Sequence, residues 1–388
     1  MTRAASGRAS GLAIGRRLFA AVWVALMTAS VAAAWPAAAQ TLLAQLAPAP
    51  PPAAPAAKPA LPKPAVAPGA PKAVGPAAPK AAAPAPAAAW QPSKPIEFVV
   101  MAGPGGGADQ AVRFLVDVIA KQGLAKVPFT VVNEPGRSGG DALAKLQART
   151  GDDHVILFTL NSFYTTPLDM PDLKIDVARF TPIARLAEDV FLLWVNSERA
   201  DIKTIDDFVK AAKAKGKGWV MAGTGKGAED QLLTEFLNAT YGLDMTYKSF
   251  GGGGEVAKEL AEKRADSTVN NPAEQNNFYP KGMTKPIVAF TPARLPAYIA
   301  TPTLRETGMD FTYFMQRSVV GAPRMSPGAA SWYDKLFRSL FDSPQWKDYA
   351  TRNSLGGALL TGQSLMGYWV KEREKHARWK MAIELMKP

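Results

Sequence analysis

The 388-residue chain contains 33 Pro, 32 Gly and no Cys, a length that allows one large or two ordinary domains. The lack of Cys excludes disulfides, thiolate metal sites, a catalytic thiol and a lipid-modified N-terminal cysteine. The formal charge is +12, from 45 basic and 33 acidic residues, but Arg3, Arg8, Arg16, Arg17, Lys58, Lys63, Lys72 and Lys80 precede Gln91 without a single acid, which leaves +4 on the remainder. A fold so nearly balanced lacks the concentrated positive field of a nucleic-acid binder.

Residues 1–39 have the layout of an export signal. Basic Arg3 to Arg17 precede an apolar run from Leu18 to Ala34, and small Ala37 and Ala39 fit a cleavage site before Gln40. The other reading is a retained anchor, since the apolar stretch approaches the ~20 residues that span a bilayer. Arg16-Arg17-Leu18-Phe19 resembles a twin-arginine core with Gly15 where Ser or Thr is usual, so the general secretory route is expected and twin-arginine export is the alternative. Residues 40–92 are dominated by Ala, Pro, Gly and Lys, too poor in apolar side chains to offset the entropy of ordering, and read as a disordered, semi-rigid linker.

From Lys94 the pattern changes to short apolar runs, glycine turns and amphipathic stretches. A strand over Pro95–Ala102, a helix over Ala108–Lys121, strands over Phe129–Asn133 and Val155–Thr159, and a helix over Asp141–Arg149 give βαβαβ, which favours a parallel sheet. A second series follows: strands over Val190–Val195, Trp219–Ala222, Met245–Phe250, Ser267–Asn270 and Pro286–Phe290, with helices over Ile205–Ala214, Ala228–Ala239 and Glu255–Arg264. Two such series predict two α/β lobes. Three helices, Pro327–Asp342, Pro344–Asn353 and Gln363–Met386, close the chain and are expected to pack on the first lobe. The expected division is residues 93–194, completed by 317–388, for the first lobe and 195–316 for the second.

Four glycine loops lie at strand ends: Gly103-Pro-Gly-Gly-Gly-Ala-Asp109, Asn133 to Gly140, Gly223-Thr-Gly-Lys-Gly-Ala228 and Phe250 to Gly254. Ligands of open α/β sheets bind beyond the carboxyl ends of strands, where glycine permits close approach and a following helix offers unpaired N–H groups and its positive end. An anion gripped by free backbone amides in a cleft shared by both lobes is the expectation.

Lys94-Pro-Ile, Gly105-Gly-Gly-Ala-Asp109, Val132 to Gly140, Phe180-Thr-Pro-Ile-Ala184, Leu295-Pro with Thr301-Pro-Thr, and Gly321 to Pro327 occur in the order of the signatures of the Bug family. The chain from Lys94 to Pro388 resembles these extracytoplasmic solute receptors of tripartite tricarboxylate transporters. The resemblance implies an α/β, two-lobed periplasmic binding protein fold of the type II-like Venus flytrap kind with a C-terminal helical segment. It also implies a monomer without cofactor or catalytic residues, which traps a small organic acid and passes it to a membrane permease or reports it to a sensor kinase. Carried over from the family, the loop with Gly105, Gly106, Gly107, Ala108 and Asp109 and the loop Asn161-Ser-Phe-Tyr164 would hold a carboxylate, and Thr224, Gly225, Lys226 and Gly227 would close from the second lobe.

The side chains themselves allow more than one role. Ser162, Thr224 and Asn270 can donate hydrogen bonds, and Phe163, Tyr164 and Phe250 can shield an aromatic solute or fill the core. Asp109 can cap its helix, orient the loop or touch the ligand. Lys226 offers a positive charge or a solvated loop residue, and Glu274 an acceptor for an amino group or a solvated carboxylate.

The rival reading is an exported dinucleotide-dependent oxidoreductase, because Gly103 to Ala108 satisfies G-x-G-x-x-A after a strand and Glu134 ends the second strand, where a ribose-binding acid would lie. A hydrolase lacks support: no serine lies in G-x-S-x-G, His154 reads as a turn residue and His376 as a packed helix residue. Two separated histidines without Cys make no transition-metal site.

Overall fold

The computed structural model describes residues 90–386. The expected signal segment lies outside the described residues, as does the linker up to Ala89. The linker's last residues belong to the fold: Trp90 packs against His154, Trp332 and Tyr333, Gln91 Oε1 accepts from Trp332 Nε1 at 3.1 Å, and the Ser93 amide donates to His154 Nε2 at 3.1 Å.

The first series forms β1 (Ile96–Val100), α1 (Gly107–Lys121), β2 (Phe129–Asn133), α2 (Gly140–Ala148), β3 (Val155–Thr159) and α3 (Ser162–Asp169), followed by the long β4 (Thr181–Val190). The second comprises β5 (Leu192–Asn196), α4 (Ile205–Lys215), β6 (Val220–Thr224), α5 (Glu229–Tyr241), β7 (Thr246–Phe250), α6 (Gly253–Ala261), β8 (Ser267–Asn270), the single-turn α7 (Pro272–Gln275) and β9 (Thr284–Ala289). The chain then adds β10 (Phe314–Gly321), α8 (Pro327–Asp342), α9 (Pro344–Arg352), β11 (Leu360–Thr361) and α10 (Gly362–Met386).

These strands make two mixed sheets, β11-β4-β10-β3-β1-β2 and β7-β6-β8-β5-β9. The βαβ units are parallel as expected, with β1 beside β2 and β3, and β6 beside β7 and β8. Sequence reading missed the antiparallel members β4 and β10, because Arg185, Glu188, Asp189, Gln316 and Arg317 interrupt their apolar runs. Those polar groups are tolerated in a sheet centre because they pair: Arg185 Nη1 donates to Glu188 at 2.5 Å, Gln316 Nε2 to the Leu160 carbonyl at 2.9 Å, and Arg317 Nε to Asp189 at 2.9 Å.

The first sheet is covered on both faces. Val112, Leu115 and Ile119 of α1 and Tyr333, Phe337 and Leu340 of α8 bury one face. Leu143 and Leu146 of α2, Phe163 and Tyr164 of α3, and Trp369 of α10 bury the other. In the second half, α4 starts at a capping box in which the Asp207 amide donates to Thr204 Oγ1 and the Thr204 amide to Asp207.

The last helix reaches further than its expected place on the first lobe. Trp379 of α10 stacks on Phe311 and Phe236, the latter from α5 beside the second sheet. Among the described residues no helix is long and apolar enough to cross a membrane.

His376, on the same helix, is fully buried; its Nδ1 lies 2.7 Å from the Glu372 carbonyl and its Nε2 3.1 Å from the Tyr313 hydroxyl. Burial, with Lys375 adding to it, pulls the imidazole down to about 3. The unfolded chain therefore takes up a proton near pH 6.5 that the folded chain refuses, and stability falls as pH drops from about 6.5 towards 3, by up to about 1.4 kcal/mol per pH unit. Thermal melts between pH 7 and 5 should show this slope, and His376→Gln should flatten it. An equal slope in the variant would assign the acid sensitivity elsewhere.

Candidate functional site

The carboxyl ends of β1, β2, β6 and β7 point their glycine loops at one another. The loops approach so closely that a Cβ at Gly103 would overlap the Gly251 carbonyl, and one at Gly254 would stand 2.8 Å from the Gly105 carbonyl oxygen. Gly105 makes its turn at φ +77°, a conformation side chains resist. Ser138 Oγ donates to the Lys226 carbonyl across the opposite rim.

Between these contacts lies a cavity of about 230 Å³, to which all four glycine loops contribute. Of the residues expected from sequence, Gly106, Gly107, Ala108, Ser162, Thr224, Gly225, Phe250 and Glu274 line it. The N-termini of α1, α3, α5 and α6 all border it, through Gly107, Ser162, Glu229 and Gly253.

The other expected residues stand elsewhere. Asp109 fixes the first loop rather than facing the cavity: it accepts from the Gly105 amide at 2.9 Å, from Arg113 at 2.9 Å and from Asn133 at 3.0 Å. Burial works against its charge, but Arg113, Gly105 and Asn133 together lower its pKa. Asn161 is fully buried, donating to Tyr313 and the Phe314 carbonyl and accepting from Tyr164 and the Gln316 amide. Phe163 and Tyr164 are core side chains on α3, packed against Trp369 and His376 respectively; the segment read as a loop is a helix. Asn270 is buried and donates to Glu274 at 2.7 Å. Lys226 and Gly227 line an outer groove with Asp169 and Lys380. Gly105 is exposed and does not line the cavity.

The chemistry of the wall differs from the expectation of free amides. The Gly107 amide donates to Glu274 Oε1 at 3.3 Å and the Ser162 amide to Glu229 Oε1 at 3.1 Å. Two carboxylates carried beside the second sheet thus occupy amides at helix starts beside the first. Asp230 accepts from the Thr224 amide at 2.7 Å and hydroxyl at 3.1 Å. Arg317 lies under Gly107, where a Cβ would come within 2.7 Å of Nη2; it binds Asp189 through Nε and Nη2 and Asn271 Oδ1 at 3.1 Å.

Electrostatics follow from burial. Burial raises Glu229 and Glu274, and raises Asp230 further because Glu274 repels it. For Arg317, burial acts to lower the pKa, but Asp189 outweighs it and holds the guanidinium charged. Glu229 and Asp230 carried a weak sequence signal, acids in the first turn after a glycine loop, which also reads as ordinary helix stabilisation. Arg317 gave none, because its partner is distant in the chain.

The sequence and the fold agree on a family. The model of the tripartite tricarboxylate transporter family receptor, TctC, matches residues 112–387. The chain belongs to this family. Its curated relatives include Protein BugT of Bordetella pertussis, 25% identical over 225 residues that span 56% of this chain and 67% of that protein. Solved TctC-like folds include an R. palustris protein with adipate, at 19% identity and a TM-score of 0.69 over 76% of this chain and 98% of that one. MatC from Rhodopseudomonas palustris, with bound malate, aligns at 19% identity and a TM-score of 0.67 over 75% of this chain and 99% of that one. The periplasmic binding protein BugD shares the fold at 18% identity and a TM-score of 0.69 over 76% of this chain and 98% of that one. The present TctC receptor therefore has the two-lobed binding-protein architecture, and its family is one of solute receptors rather than enzymes.

Proposed function

We propose that this protein is an exported periplasmic receptor that captures a small organic solute bearing a carboxylate in the cavity between its lobes and delivers it, unchanged, to a permease of the tripartite tricarboxylate type. The observation that carries this reading is the convergence of glycine loops and four helix N-termini on one cavity, the geometry in which helix ends favour negative charge. Adipate and malate in the two relatives support a carboxylate guest. Closing around the guest favours one arrangement of the lobes, and the ligand shifts that population by its differential affinity. The lobes divide near residues 194 and 317, and the signal is removed after Ala39.

The dinucleotide reading loses its physical basis. Dinucleotide-sized guests need more room than about 230 Å³, and pockets for drug-sized ligands alone run to roughly 300–1,000 Å³. Glu134, the candidate ribose acid, is paired with Lys145 at 3.0 Å.

Native mass spectrometry of the purified protein should reveal a bound small acid. A screen of organic acids should then raise the thermal midpoint, by about 2.7 kcal/mol of added stability when the solute stands at 100 times its Kd, with no product formed. Turnover of a stabilising solute, or no stabilisation by any organic acid, would refute the receptor reading.

A further inference from the structure

The cavity wall is chemically two-sided. Asp230 is 4% exposed, and while its Oδ2 accepts from Thr224, its Oδ1 accepts from no described residue. Arg317 is 2% exposed and spends Nε and Nη2 on Asp189 and Asn271, while its Nη1 donates to no described residue. Both residues line the cavity. Two residues that line one cavity thus each keep an atom without a protein partner, an acceptor on Asp230 and a donor on Arg317, which a guest with both kinds of group can use in place of water.

The charge balance selects the guest further. Among the described residues, Arg317 is the one cationic side chain that lines the cavity, and Asp189 is paired with it. Glu229, Asp230 and Glu274 also line the cavity and have no side-chain cation of their own there. Helix N-termini offset part of this charge. A dicarboxylate sets its second carboxylate against these acids, whereas an ammonium meets an acceptor oxygen whether they are charged or neutral. Among the described residues no three acidic or histidine side chains are set to hold a metal ion, so a divalent cation is not what these acids await.

We infer that the cavity takes a small amino-carboxylate in preference to a dicarboxylate of the same length, its ammonium on Asp230 Oδ1 and its carboxylate on Arg317 Nη1 and the start of α6, which has no side-chain cap from its N-cap residue. This rests on the receptor reading above and names the class of solute.

Isothermal titration of the full chain, stripped of co-purified solute, tests it with four probes that share a four-carbon skeleton: succinate, 4-aminobutanoate, 2-aminobutanoate and putrescine. One of the two amino-carboxylates should bind at least tenfold more tightly than both succinate and putrescine. Asp230→Asn, which keeps an acceptor for the Thr224 amide, should shrink that preference by at least tenfold while the circular dichroism spectrum is retained. Succinate binding as tightly as either amino-carboxylate, putrescine binding tightest, or an unchanged preference in Asp230→Asn overturns the inference and leaves the receptor reading standing. If neither these four nor any of the wider organic-acid panel binds, the receptor reading falls and this inference with it. Should the variant not fold, the wild-type ranking alone decides.

Discussion

Arg317→Met is expected to lower stability by about 3–5 kcal/mol, read as a drop in thermal midpoint of roughly 6–20 °C. The loss comes less from the missing bonds than from what stays behind. Asp189 is 1% exposed, its Oδ1 already lacks a partner, and its Oδ2 depends on Arg317 for compensation. An unpaired carboxylate near the end of β4, sealed from water, must then either stay charged without solvent or take up a proton. Asp189→Asn combined with Arg317→Met should recover most of the loss, because the pair as a whole, set against its desolvation, contributes little. Arg317→Lys should recover less than the double variant, since an ammonium cannot reproduce the fork that reaches Asp189 and Asn271 together. Denaturant unfolding of the wild type, of Arg317→Met and Asp189→Asn singly and of the double variant closes the cycle, with Arg317→Lys measured beside it. A cost for Arg317→Met below about 1 kcal/mol, the range of exposed pairs, would show that the pair does not hold the sheet.

Gly103→Ala should weaken solute binding by at least about 100-fold, or about 2.7 kcal/mol, with the fold intact. Gly103 follows β1 and Gly251 follows β7, so the two lie on loops of different sheets, and the new methyl group would overlap the Gly251 carbonyl. The obstacle is main chain rather than a flexible side-chain end, so it cannot rotate aside, and the lobes must stand apart. Each lobe keeps its own core, since neither sheet is touched. Titration with the solute identified by mass spectrometry gives the affinity, and small-angle scattering gives the radius, which should be larger than that of the wild type under saturating solute. Affinity within threefold of the wild type would mean that this close approach of the loops is not the binding arrangement.

Much of the architecture was legible because its signals are local. Val112, Leu115 and Ile119 share one helical face whatever they pack against, and Gly105 marks a turn through its own backbone. The same logic located the four loops that meet at the cavity, since glycine clusters between a strand and a helix announce a tight connection. The same local logic failed at β4 and β10. A strand that carries Asp189 or Arg317 reads as a surface segment until its partner is known, and that partner comes from 128 residues away.

Side-chain direction was also out of reach. Phe163 and Tyr164 looked suited to cover a solute, but α3 turns them into the core, and Asn161 spends its amide on Tyr313 and Phe314. Glu274 was visible as an acceptor of undecided role; that it reaches the Gly107 amide, 167 positions earlier, depends on how the two sheets face each other.

By itself the sequence determined the alternation of strands and helices, the places where the backbone bends sharply, and the family, because periodicity and turn chemistry are properties of neighbours in the chain. Tertiary structure alone decided which polar groups are sealed into pairs, which bends enclose the cavity, and that acids of one lobe cap helices of the other. Those outcomes depend on groups brought within about 3 Å across long stretches of chain, where hydrogen bonding and charge act on distance in space rather than on position in sequence.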